Sequence, residues 1–215
     1  MFNKASLSEQ VEDALRQEIT EGRVLPGQRV SITDYQESWN VSSTPIRDAI
    51  RSLEMQGFVT VEPRKGVYVA PMNHDTAKEI FDLRIALECM AVELATVLVP
   101  QEKADEVHKI YVRVKVLLEE GDTSRLIATD RLVHDLARDY CGNRRLQRLL
   151  ASQIDLFRWA QNTSILKMPR SFEVALPEHI EIMKSVCERD KERAARAMRK
   201  HLENSRDRLE TRLAP

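Results

Sequence analysis

Apolar positions along the chain change their period once. Leu7, Val11, Leu15 and Ile19 recur every fourth residue, which marks a helix with one buried face. Ser6 and Glu9 ahead of them have the form of a capping box, in which a hydroxyl and a carboxylate satisfy exposed N–H groups. Gly22 ends this helix, and Val24-Leu25-Pro26-Gly27 reads as a turn. A second short helix is predicted from about Thr33 to Trp39, and a third from Ser43 or Thr44 to Met55. Pro45 is tolerated there because a first-turn residue has no intrahelical N–H bond to lose. Gly57 stops the third helix. Phe58-Val59-Thr60-Val61 and Val67-Tyr68-Val69 are β-branched and aromatic, and they flank Pro63-Arg64-Lys65-Gly66 as a hairpin.

Helix, helix, turn, helix and hairpin in this order predict a winged helix-turn-helix over residues 1–70. Pro71 disfavours helix in the residue before it, so residues 71–74 read as a linker. From there the pattern is helical only. Six helices are predicted, at about 75–99, 101–120, 123–141, 143–162, 177–189 and 190–212, punctuated by Pro100, Gly121, Gly142 and Pro177. Residues 75–215 therefore form an antiparallel all-helical bundle, and the fold class is mainly α.

Composition narrows the class without naming it. The 215 residues are 42% hydrophobic and 31% charged, a globular composition with enough material for two cores. No apolar run reaches bilayer length; the best, Met90 to Val99, is interrupted by Glu93. The opening residues lack the apolar core of a secretory signal, so a cytoplasmic protein without a membrane partner is expected. Cys89, Cys141 and Cys187 are odd in number and far apart, which excludes a disulfide framework or a zinc ribbon. Net charge is -1, and residues 1–70 hold 8 Lys+Arg against 10 Asp+Glu. If this half binds DNA, it does so through placed cations and not through a broad positive field.

Gly22, Leu25-Pro26-Gly27, Val41-Ser42, Thr44-Pro45-Ile46-Arg47, Ala49-Ile50, Leu53-Glu54, Gly57-Phe58-Val59 and Gly66-Val67-Tyr68-Val69 stand in one register. In these residues the chain resembles the GntR family of bacterial regulators. The C-terminal half resembles that family's FCD ligand-binding domain, FadR-like branch, in Leu83-Arg84, Leu87-Glu88, Asp130, His134, Gly142-Asn143, Leu146, Glu178-His179, Asp190, Ala194-Ala195 and His201-Leu202. The six helices look closest to its six-helix, VanR-like variant. The resemblance implies a DNA-binding transcriptional regulator, by default a repressor. It implies a homodimer on a double-stranded operator of two-fold symmetry, controlled by a small carboxylate effector.

By the same resemblance the third helix enters the major groove and the hairpin is the wing. Arg47 and Arg51 stand one turn apart and can project from one face, toward a guanine edge or a phosphate. Ser42, Ser43 and Thr44 open the helix, where hydroxyls and N–H groups meet phosphate. Arg64, Lys65 and Gly66 form the wing tip. Many family members carry arginine where this chain has Ser43, which leaves the operator sequence open.

Asp130 and His134 are spaced i and i+4, with His179 and His201 on two later helices. By spacing alone such a pair is an ordinary helix contact. The four coincide with the metal-binding positions the resemblance implies, which points to a divalent metal: zinc first, with nickel or manganese as alternatives. His74 and His108 match no such position. Arg84 sits on an apolar helix face and needs an anion there, either Glu88 at i+4 or a carboxylate ligand; Arg158 is a second ligand candidate. Two other readings use the same groups. The metal itself could be the signal, or the metal could activate water in an enzyme, although no H-E-x-x-H helix or Gly-rich phosphate loop accompanies it.

Overall fold

The computed structural model describes residues 6–167 and 171–213. The chain divides into two compact units, Met1–Met72 with Arg158–Thr163, and Asn73–Phe157 with Ser164–Pro215.

The first unit holds α1 (Leu7–Thr20), β1 (Arg29–Val30), α2 (Ile32–Trp39), α3 (Ser43–Met55), β2 (Val59–Glu62) and β3 (Gly66–Val69). Its core follows the four-residue period: Val11, Leu15 and Ile19 of α1 are buried, as are Ile46, Ala49, Ile50 and Leu53 of α3, and the two helices pack together. The Ser6–Glu9 capping box forms in both directions. Asn40 ends α2 in the left-handed region at φ 53°, which an asparagine tolerates better than most side chains. The three strands run in the order β1-β3-β2, antiparallel throughout, so the wing hairpin gains β1 as an edge partner. Two residues are too short for β alternation to register, so the sequence pattern does not reveal β1.

The second unit is helical: α4 (His74–Leu98), α5 (Gln101–Glu119), α6 (Leu126–Thr129), α7 (Leu132–Tyr140), α8 (Arg144–Lys167), α9 (Ser171–Cys187) and α10 (Lys191–Glu210). α10 packs on α4 and α9, α7 on α4, and α5 on α9. Two of its features depart from the expected pattern. The helix predicted over 123–141 is broken at Asp130 and Arg131 into α6 and α7, giving seven helical segments among the described residues. The cause is Tyr111, fully buried on α5: its hydroxyl accepts the Val133 amide at 3.0 Å, replacing the carbonyl one turn back. The second departure is α9, which starts at Ser171 and carries Pro177 inside it. Burial of Phe172, Ala175 and Leu176 offsets the lost backbone bond at the proline.

No helix among the described residues is long and apolar enough to cross a membrane.

Candidate functional site

The second unit brings its three late histidines together. His134 comes from α7, His179 from α9 and His201 from α10, and each offers a nitrogen within 4.8 Å of the other two. His179 is 1% and His201 4% exposed, an unusual depth for two polar rings, and His134 is half-buried beside them. His179 Nε2 and His201 Nε2 stand 3.3 Å apart. Two nitrogens held by one tetrahedral ion at ~2.1 Å are about 3.4 Å apart, so the spacing suits a shared cation.

The outer nitrogens are already assigned. His201 Nδ1 meets Glu178 Oε2 at 2.7 Å, and His134 Nδ1 meets Glu88 Oε2. A carboxylate on Nδ1 fixes the tautomer and leaves Nε2 with its lone pair inward, the arrangement that metal-ligating histidines require. Each carboxylate is in turn held by an arginine. Arg84 Nε donates to Glu88 Oε1 at 2.7 Å, and Arg208 donates to both oxygens of Glu178 at 2.9 and 3.1 Å. Asn204 Nδ2 adds a third donor to Glu178 at 2.8 Å. Two relays, Arg84–Glu88–His134 and Arg208–Glu178–His201, therefore converge on the same point.

Electrostatics favour neutral rings at His179 and His201 and ionised acids beside them. Burial pulls His201 down to about 4, despite the opposing bond from Glu178. Burial, then the neighbouring His201 and His134, takes His179 well below the usual histidine range. For Glu178 burial acts upward, but His201 and Arg208 bring the carboxyl down to about 2. Burial opposes ionisation of Glu88 as well, and Arg84 and His134 hold it well below the carboxylate range. With His179 and His201 held neutral, the converging imidazole nitrogens are a ligand set that accepts a divalent cation readily.

Asp130 is 5% exposed and sits at the edge of the cluster, its Oδ1 4.0 Å from His179 Nδ1. It lies where α6 ends, and Tyr111 donates to its carbonyl at 3.4 Å while accepting from Val133. Of the two anions open to Arg84, the internal one is present: Glu88 occupies its Nε, and Phe81 and Phe157 lie 5.3 Å from its guanidinium carbon. Arg158 is exposed and groups with the first unit, apart from the residues that build this centre. Sequence reading missed Glu88 and Glu178 as ring partners, together with Arg208 and Tyr111. Only the i+4 step from Arg84 to Glu88 is visible locally.

In the first unit Ser42 is the N-cap of α3, yet its hydroxyl makes no capping bond and is exposed. Ser43 and Thr44 complete the helix start, half-buried and exposed. Arg47 is exposed on the outer face of α3, opposite buried Ala49, Ile50 and Leu53. Arg51 pairs weakly with Asp48 at 3.6 Å, and Lys65 with Glu62 at 3.0 Å, all four groups largely in solvent. Arg64 turns the wing in the left-handed region at φ 67°, and Gly66 follows at φ 133°.

Residues 7–69 match the family model described as bacterial regulatory proteins, gntR family, and residues 79–204 match that of the FCD domain. The chain is 29% identical over 196 residues to the uncharacterized HTH-type transcriptional regulator YdhC of Bacillus subtilis, covering 91% of this chain and 87% of YdhC. It is 28% identical over 199 residues to the HTH-type transcriptional repressor GlaR of Escherichia coli, covering 87% and 89%. Among solved structures, a putative GntR transcriptional regulator from Rhodococcus sp. RHA1 superposes with a TM-score of 0.75 at 20% identity, covering 95% of this chain and 98% of that one. This last likeness speaks for the fold.

Proposed function

Since the chain belongs to the GntR family of bacterial regulatory proteins, with an FCD domain after its winged helix, we propose that it is a metal-dependent repressor that a small carboxylate releases from DNA. DNA-binding transcriptional regulation comes with the family. The observation that supports the finer reading is the convergence of three imidazoles, with the outer nitrogen of His134 held by Glu88 and that of His201 by Glu178. His134, His179 and His201 hold the ion, zinc first with nickel or manganese as alternatives, and Asp130 at their edge supplies the fourth donor. A bound ion would attract a carboxylate and orient it. Arg84 supports the centre through Glu88, and Arg84 and Arg158 are the cations assigned to the carboxylate. The metal is resident, since none of the three cysteines belongs to the histidine cluster. Repression is supported by the likeness to GlaR, a transcriptional repressor.

The DNA-contacting set is Ser42, Ser43, Thr44, Arg47 and Arg51 on α3 with Arg64, Lys65 and Gly66 in the wing. Two copies, joined through their helical units in the cytoplasm, place two such heads on a two-fold operator. A carboxylate can release DNA only if it binds the DNA-competent and incompetent arrangements unequally.

Two measurements test this together. Metal analysis of the purified protein should find one divalent ion per chain, and none after His179→Ala. Operator fragments selected from bacterial genomic DNA should be released by small carboxylates. Operator affinity that tracks metal concentration and ignores carboxylates would make the metal the signal; metal-dependent turnover of organic acids would make the protein an enzyme. Arg47→Ala is expected to weaken operator binding by roughly 1–3 kcal/mol per head and to relax the preference at one base pair. Equal affinity of the variant and the parent in anisotropy titrations would remove Arg47 from the contact set.

A further inference from the structure

The DNA-binding unit must attract a polyanion while holding more acids than bases, 10 Asp+Glu against 8 Lys+Arg over residues 1–70. Its cations are not equally available. Arg16 is tied to Glu12 and Asp13, Arg23 to Glu21, Arg51 to Asp48 and Lys65 to Glu62. Among the described residues of this unit's first 70, that leaves Arg29, Arg47 and Arg64 with no carboxylate at ion-pair distance. Two of these three already belong to the proposed contact set. The third does not.

We infer that Arg29 is a DNA-contacting residue of the wing, binding a backbone phosphate beside the tip formed by Arg64 and Lys65. The inference rests on the DNA-binding reading and adds a residue to it. Arg29 is exposed on β1 and pairs in register with Tyr68 of β3, two residues beyond Gly66. Its guanidinium lies across Gly66: a Cβ there would stand 3.2 Å from Nε and 3.6 Å from an Nη of Arg29. Gly66 has φ +133°, a backbone conformation that side-chain-bearing residues rarely adopt. The bare glycine thus provides a seat for the guanidinium, and Arg29 stays exposed to solvent.

This placement favours phosphate over an ornamental role. A flexible surface arginine loses rotamer freedom when it binds, whereas Arg29 has surrendered part of that freedom already. Arg51 and Lys65 must each give up an internal carboxylate before they can serve a phosphate; Arg29 gives up none. Phosphate contacts position a head without reading sequence, which suits a residue at the side of the wing and away from α3.

The experiment is the salt dependence of binding by the full-length protein to a short labelled duplex of arbitrary sequence, followed by anisotropy between about 50 and 200 mM salt. Arg29→Ala and Arg29→Gln should each reduce the slope of log K against log salt by roughly 0.9 per engaged head, with affinity about 5- to 10-fold weaker per head near 0.1 M. Arg29→Lys should keep the slope. If alanine fails to fold, the glutamine variant carries the test. An unchanged slope in both neutral variants overturns the inference, including the case where affinity falls at constant slope, which would make Arg29 a support for the wing alone. Wild-type protein that does not bind the duplex at low salt would overturn the DNA-binding reading itself.

Discussion

Glu88→Ala is expected to destabilise the helical unit by roughly 3–5 kcal/mol, because it strands a buried cation. Arg84 and Glu88 are 8% and 5% exposed at their side chains, and their contact is 2.7 Å. The pair itself need not be a large net gain, since desolvating both ions consumes much of their attraction. Removing one ion is different: the guanidinium stays between Phe81 and Phe157 with no anion and little water. His134 loses the acceptor for Nδ1 at the same time. Lys78 and Asp82 provide the control, an i,i+4 pair of similar length at 2.6 Å but 64% and 50% exposed. Asp82→Ala should leave the unfolding midpoint nearly unchanged, because solvent screens an exposed pair. Urea unfolding of the two variants measures the contrast, and equal midpoints would sink the account. Added formate should recover part of the loss in Glu88→Ala and none in Asp82→Ala, because only the former has a vacant buried site for an anion.

That pair also shows what could be read from the chain and what could not. Glu88 is an available partner for Arg84 from spacing alone, because four residues on a helix is a fixed geometry. Glu178 and His201 are 23 positions apart and Glu88 and His134 are 46 apart, so no local rule joins them. Both depend on how α4, α7, α9 and α10 pack. The four-residue apolar period of α1 and the wing hairpin are legible for the opposite reason: each is decided by neighbours in sequence. The break between α6 and α7 is decided by a hydroxyl on α5, and Pro177 is carried inside α9 by burial of residues ahead of it. In both places tertiary contact overrules local preference. The histidines were legible as a set only through family resemblance, since an aspartate and a histidine at i,i+4 say little by themselves. What the fold adds is the outer row of Glu88, Glu178, Arg84 and Arg208, which orients His134 and His201.

The second large effect belongs to those rings and is expected in acid. In metal-free protein, burial holds His201 near 4 and His179 well below its ordinary value of about 6.5. The unfolded chain takes up protons as pH falls through 6.5, and the folded protein refuses them until pH approaches 4. Stability supplied by keeping His201 neutral is therefore complete above about 6.5 and is lost between there and about 4, on the order of 3 kcal/mol. His201→Gln should flatten that part of the profile in thermal melts. A bound divalent ion steepens it, because protons and metal compete for the same nitrogen lone pairs. At neutral pH, zinc at a thousandfold excess over its dissociation constant should add about 4 kcal/mol, and near pH 4 the increment should vanish. His179→Ala should lose the zinc response at every pH while the winged-helix unit still binds duplex DNA. Melting temperatures of metal-free protein that ignore zinc at pH 7 would refute the metal centre, whatever the acid profile shows, since burial of the imidazoles alone accounts for the latter.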